Sequence, residues 1–117
     1  MIVIARQSIG VDLEAVLLLP DLPAIAALSL SEAEAGRLAV LAEPARTRFF
    51  YRCWTRKEAC LKARGEGLRT DPRQVDTMAV EEPWRWHEPW STDRWALAVA
   101  ARTALSIEFM TSCGEMT

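Results

Sequence analysis

The residues of this chain best suited to chemistry are Asp12, Glu14, Lys57, Glu58 and Lys62. In Ile9-Gly10-Val11-Asp12-Leu13-Glu14, apolar residues alternate with small or acidic ones. The alternation predicts a strand with Ile9, Val11 and Leu13 on one face and Gly10, Asp12 and Glu14 on the other. Two carboxylates so placed lie about 6.5 Å apart and repel by roughly 2 to 3 kcal/mol at an effective dielectric near 20. They are tolerable in water and favourable with a hard cation between them. Gly10 on that face leaves room for a ligand to approach the backbone. Glu58 becomes a third carboxylate if its helix lays the Trp54 edge across this strand. Three oxygen donors without His or Cys suit Mg²⁺ or Mn²⁺, with phosphate oxygens and water completing the shell. Lys57 and Lys62 would neutralise the phosphates, and the chemistry is then metal-assisted phosphate transfer. The plain alternatives are two solvated carboxylates, an i,i+4 surface pair between Glu58 and Lys62, and a Lys57 stem that snorkels to water.

The elements that must position these residues can be read along the chain. Ile2 to Ile4 and Ile9 to Leu13 read as two short strands joined through Arg6 to Ser8. Pro20 and Pro23 bound a loop or short helix through Leu28. Ser31 with Glu34 is a capping-box pattern opening a helix to about Ala42. Pro44 opens a long helix that runs to about Arg64 and is closed by Gly65. On a wheel of 100° per residue, Phe49, Phe50, Cys53, Trp54, Cys60 and Leu61 make one apolar arc. Lys57 falls inside it, Glu58 and Lys62 lie just past its Trp54 edge, and Arg52, Arg56, Ala59 and Ala63 lie opposite, as a surface. After Gly67 and Leu68 the pattern turns to strands. Trp84 and Trp86 alternate with polar residues, while Trp95, Leu97 and Val99 alternate with Ala96, Ala98 and Ala100. An alanine face suits a helix packed close against a sheet. The expected fold class is α+β, a small antiparallel sheet packed against a long helix, in a single domain over 1–117.

Composition bounds the rest. The chain has 117 residues, half of them hydrophobic, with 5 Gly and 6 Pro, which excludes disordered and collagen-like classes. The net charge of -2 argues against a nucleic-acid ligand. From Arg46 to Arg73, however, nine basic residues face three acids, a basic stretch on an acidic body that suits a polyphosphate or an acidic partner. No apolar run spans a bilayer and the N-terminus lacks a signal-peptide pattern, so the expected compartment is the cytoplasm, with no membrane partner. Cys53 and Cys60, about 10 Å apart along one helix, are too distant for a disulfide. Cys113 stands in a polar tail, and one histidine, His87, allows no zinc spacing. Walker A and G-x-S-x-G motifs are absent.

The two segments together resemble the signature of 4'-phosphopantetheinyl transferases: Ile9-Gly10-Val11-Asp12-Leu13-Glu14, then, after a helical spacer, Trp54-Thr55-Arg56-Lys57-Glu58-Ala59-Cys60-Leu61-Lys62. The Trp form of the second motif, Glu14 after Asp12, and Gly65-Glu66-Gly67-Leu68 resemble the Sfp type more than the small trimeric holo-ACP synthases. The resemblance runs from Met1 to about Ala101 and corresponds to the C-terminal half of an Sfp-type enzyme. It implies transfer of the phosphopantetheine arm of coenzyme A to a serine of an apo acyl or peptidyl carrier protein, as in fatty acid or polyketide synthesis. It implies that Asp12, Glu14 and Glu58 bind Mg²⁺, and that Glu58 is the base for the carrier serine. It also implies that Lys62 stabilises the phosphates and the leaving group, with Lys57 supporting it.

The chain departs from the Sfp type in lacking the other half, which contributes a histidine and basic residues that hold coenzyme A; His87 matches nothing in the motif. Either the chain is a fragment, or it is a homo-oligomer that builds the site between copies. The clustered Trp84, Trp86 and Trp90 would cover such an interface or fill a core. The alternative function is a non-catalytic module whose basic helix engages a carrier protein or nucleic acid.

Overall fold

The computed structural model describes residues 2–3, 9–65, 69–79, 84–88, 92–102 and 109–110. In chain order the elements are β1 (Ile2–Val3), β2 (Gly10–Ala15), α1 (Leu22–Ser29), α2 (Glu32–Ala39), α3 (Ala45–Arg64), a 3-10 turn (Pro72–Gln74), β3 (Arg85–His87), β4 (Trp95–Ala101) and β5 (Phe109–Met110). β2, β4 and β3 form an antiparallel sheet in that order, and β1 pairs antiparallel with β5. The β2–β4 ladder sets Gly10 opposite Ala100, Asp12 opposite Ala98 and Glu14 opposite Ala96. This is the α+β arrangement anticipated from the sequence, with α3 laid on the sheet.

The local signals explain the helix ends. Pro20 precedes α1, and Pro23 sits in its first turn, where a missing N–H leaves no bond unmade. At α2 the Ser31 hydroxyl accepts from the Glu34 N–H at 3.2 Å, and Glu34 Oε1 accepts from the Ser31 N–H at 2.8 Å, a complete capping box. α2 stops at Ala39, short of the anticipated Ala42, because the Val40 N–H turns back to Arg37 O and tightens the last turn. α3 follows Pro44 and is closed by Gly65 at φ 72°, a left-handed position that glycine adopts without steric cost. Of the strands anticipated after Gly67, the structure shows β3 and β4; Glu66, Gly67, Leu68, Trp90 and Cys113 lie outside the described residues.

Two apolar clusters hold α3. One gathers Leu22, Ala26, Leu30 and Leu38 of the first two helices and the segment between them with Phe50, Tyr51, Cys53 and Ala96. The other gathers Ala59, Cys60 and Leu61 with Val75, Trp84, Ala98 and Ala100. The alanine face of β4 packs on the helix, as its pattern suggested.

The wheel is corrected on one side. Ala59 is fully buried rather than part of a surface, and the backbone of α3 at Ala59 and Ala63 comes directly against Gly10 of β2. A side chain at Gly10 would stand 1.8 Å from Ala59 O and 2.6 Å from Ala63 N. Small residues on both elements let strand and helix backbones touch, so Gly10 makes room for α3 rather than for a ligand. Trp84 is buried in the second cluster beneath the Arg102 guanidinium, 5.4 Å from its ring centre. Trp86 Nε1 donates to Arg56 O at 2.8 Å, tying β3 to α3. Both are used within this chain's own packing.

Candidate functional site

β2 and α3 converge on Asp12. Its side chain is 7% exposed, and Oδ1 accepts from Lys62 Nζ at 2.7 Å. Lys62 Nζ also donates to Val11 O at 3.1 Å, while its side chain stays half exposed. Asp12 Oδ2 is buried and has no hydrogen-bond partner among the described residues. Glu14 and Glu58 flank this pair and are partly buried.

The electrostatics bind the four residues into one group. Burial pushes the Glu14 carboxyl up, the Asp12 charge adds to this, and Lys62 pulls it back without cancelling the rise. Glu58 is raised for the same reasons, burial first and then Asp12, again against Lys62. Glu58 also acts on Glu14. Three carboxylates thus feel one another with one ammonium between them, a cluster with more negative charge than its own cation neutralises.

The donor set fits a hard cation: carboxylate oxygens only, and an orphaned buried Oδ2 on Asp12. Among the described residues no three His, Cys, Asp or Glu side chains stand together as a ready metal cage. Lys62 holds Asp12 Oδ1 instead. The structure therefore brings Asp12, Glu14, Glu58 and Lys62 together.

Lys57 is elsewhere, and the expectation that it touches phosphate is corrected. Its side chain is fully buried, paired with the equally buried Glu34, and donates to Pro72 O at 2.9 Å and to Val75 O. Three acceptors use all three N–H groups of the ammonium, so none is left for a ligand. Sequence reasoning missed the partner. Glu34 was legible as a capping residue, yet its carboxylate also accepts from Thr77 N at 3.0 Å and from the Thr77 hydroxyl. The available signal was Lys57 itself: a lysine inside an apolar arc requires a buried counter-ion.

The basic stretch is largely committed to internal pairs. Arg48 meets Asp93 at 2.9 Å, Arg52 and Arg56 meet Glu88 at 3.2 and 2.7 Å, and Arg73 meets Asp71 at 2.7 Å. A groove of about 840 Å³ runs beside the N-terminal half of α3, lined by Arg37, Arg48, Arg52, Arg56, Phe49 and Trp95 among others, and none of the four clustered residues lines it. The cluster, with its orphaned oxygen and crowded charge, is the better candidate for chemistry. His87 sits half buried on β3, apart from the cluster's elements, opposite Val99. Among the described residues no helix is long and apolar enough to cross a membrane.

Comparison with known proteins places this geometry. The family model of the 4'-phosphopantetheinyl transferase superfamily matches residues 8–100, which contain both β2 and α3. A Synechocystis sp. protein named "Putative 4'-phosphopantetheinyl transferase slr0495" is 40% identical over 67 residues, covering 57% of this chain and 27% of that protein. The match thus spans about a quarter of the relative's length.

Proposed function

Because the chain belongs to the 4'-phosphopantetheinyl transferase superfamily, we propose that it provides the metal-bearing part of a site that transfers the 4'-phosphopantetheine arm of coenzyme A. The acceptor is a serine hydroxyl of an apo acyl or peptidyl carrier protein, and adenosine 3',5'-bisphosphate leaves. Asp12, Glu14 and Glu58 would hold Mg²⁺ or Mn²⁺. A bound divalent ion supplies charge neutralisation on the pyrophosphate.

The remaining work falls to the chain's own side chains. Glu58, with its carboxyl raised by burial and by Asp12, is suited to take the serine proton. Lys62, half exposed at the rim of the cluster, can meet negative charge on the phosphates. Lys57 keeps α3 in place and touches neither substrate. The remainder of the coenzyme A site would come from a second copy of the chain or from a further half. The cytoplasm is the compartment proposed for this reaction.

The observation that carries this reading is the contact of Lys62 with Asp12, which joins the two family-matched segments in one carboxylate cluster. Asp12→Ala and Glu58→Ala test it against the alternative of a non-catalytic binding module. Under the transferase reading both abolish transfer to an apo carrier protein. If the chain only binds a carrier, wild type transfers nothing, and both variants bind the carrier as wild type does.

A further inference from the structure

The carboxylate cluster already contains a cation. Lys62 Nζ stands 2.7 Å from Asp12 Oδ1, as a hydrogen-bonded ammonium does, and its second acceptor is the carbonyl of Val11. We propose that Lys62 is the resident counter-ion of Asp12, and that a divalent cation binds by exchanging with the ammonium at Asp12 Oδ1. Metal entry then releases Lys62. The exchange concerns residues of this chain alone; only the identity of the phosphate that receives the freed lysine rests on the transferase reading.

Four observations support the exchange. First, one carboxylate oxygen cannot accept an ammonium and a divalent ion together without strong repulsion between the two cations. Second, Asp12 Oδ2 is buried and has no hydrogen-bond partner among the described residues, so an ion that spans both oxygens of Asp12 in place of the ammonium also satisfies Oδ2. Third, Lys62 is free to leave: its side chain is 50% exposed, and its bond to the Val11 carbonyl lies at the surface. Lys57, on the same helix, is fully buried and held by three acceptors, so the two lysines are not interchangeable. Fourth, α3 itself is fixed against β2 by the backbone contact at Gly10, so the movement belongs to the side chain and not to the helix.

The exchange couples two binding events. A lysine released from Asp12 is available to an anion, and an anion that takes up the lysine leaves Asp12 free for metal. By linkage each ligand tightens the other by the same factor. In the metal-free chain the ammonium keeps the three carboxylates from being wholly uncompensated, so the site stays assembled while it waits.

Titration of the purified chain with Mn²⁺ alone, followed by electron paramagnetic resonance, tests the proposal without any assay of activity. Lys62→Gln removes the competing cation and should bind Mn²⁺ roughly fivefold more tightly than wild type, the worth of a partly exposed ion pair. Lys62→Arg restores the competitor and should return to the wild-type affinity. Asp12→Asn in the Lys62→Gln background should lose the gain, which locates the ion at Asp12. Equal or weaker binding by Lys62→Gln, or no binding by either protein at millimolar Mn²⁺, overturns the proposal. Exchange without transfer, by the chain alone and with a further half supplied, would instead sink the transferase reading and leave this inference standing.

Discussion

Glu34 and Lys57 form an ion pair with no exposure on either side chain, and Lys57 directly precedes Glu58 in α3. At 100° per residue, pointing Lys57 at Glu34 fixes where Glu58 and Lys62 emerge on the helix surface. The pair also draws in the chain after α3 through Pro72 O, Val75 O and Thr77. A capping residue of one helix thereby sets the rotation of another.

Removing one partner should leave the other as a buried uncompensated charge. Lys57→Met or Glu34→Ala should cost about 3 to 5 kcal/mol in urea unfolding at pH 7, whereas the double replacement Glu34→Leu with Lys57→Met should cost much less. Equal losses from the single and double variants would show that the charges themselves are unimportant.

Acid should act through the same carboxyl. Burial alone would raise Glu34, but hydrogen bonds from Lys57, Thr77 and Ser31 outweigh it and hold the group below its ordinary value of 4.5. A carboxyl lowered in the folded state contributes stability fully above its unfolded value and loses it as pH falls through the folded one. Unfolding free energy measured from pH 7 down to pH 3 should therefore decline for wild type, and decline less steeply for a Glu34→Gln variant.

Gly10 offers a purely steric prediction. Gly10→Ala would drive a methyl into the α3 backbone at Ala59 and Ala63, atoms that cannot rotate away. The cost should reach about 1 to 3 kcal/mol or more. Because the displaced helix carries Lys62, the variant should also bind Mn²⁺ differently from wild type. A melting temperature equal to that of wild type would contradict so close an approach.

These contacts also show how far the sequence could be read. Alternation placed Asp12 with Gly10 on one strand face, and Ser31, Glu34, Pro44 and Gly65 marked the helix ends, because such signals act within a few residues. The pairing of Asp12 with Lys62 was reachable only through the supposition that α3 crosses β2, and Ala59 and Ala63 were misread as a surface. A hydrophobic wheel ranks Ala59 and Ala63 as indifferent, while packing selects them for their size. Glu34 was hidden because one carboxylate serves a local cap and a distant lysine at once.

Cys53 should be chemically silent. Burial, with the Glu34 charge adding to it, pushes the thiol up to about 12. At pH 8 almost no thiolate is present to react. Iodoacetamide followed by peptide mass spectrometry should leave Cys53 unmodified in the native chain and label it in urea. Rapid native labelling would show that the core around α3 opens readily.

The measurement closest to the central claim is a transfer assay read by mass. The chain is incubated with coenzyme A, Mg²⁺ and an apo carrier protein, and the carrier is weighed for an added phosphopantetheine group. The account predicts the added mass, its disappearance with a chelator, and its loss by at least about a hundredfold in Glu58→Gln, the scale of a removed general base. Transfer that persists without a divalent ion, or undiminished in Glu58→Gln, would contradict the roles given to the cluster at Asp12. A folded chain that transfers nothing, alone or mixed with a further half, would contradict the transferase reading itself.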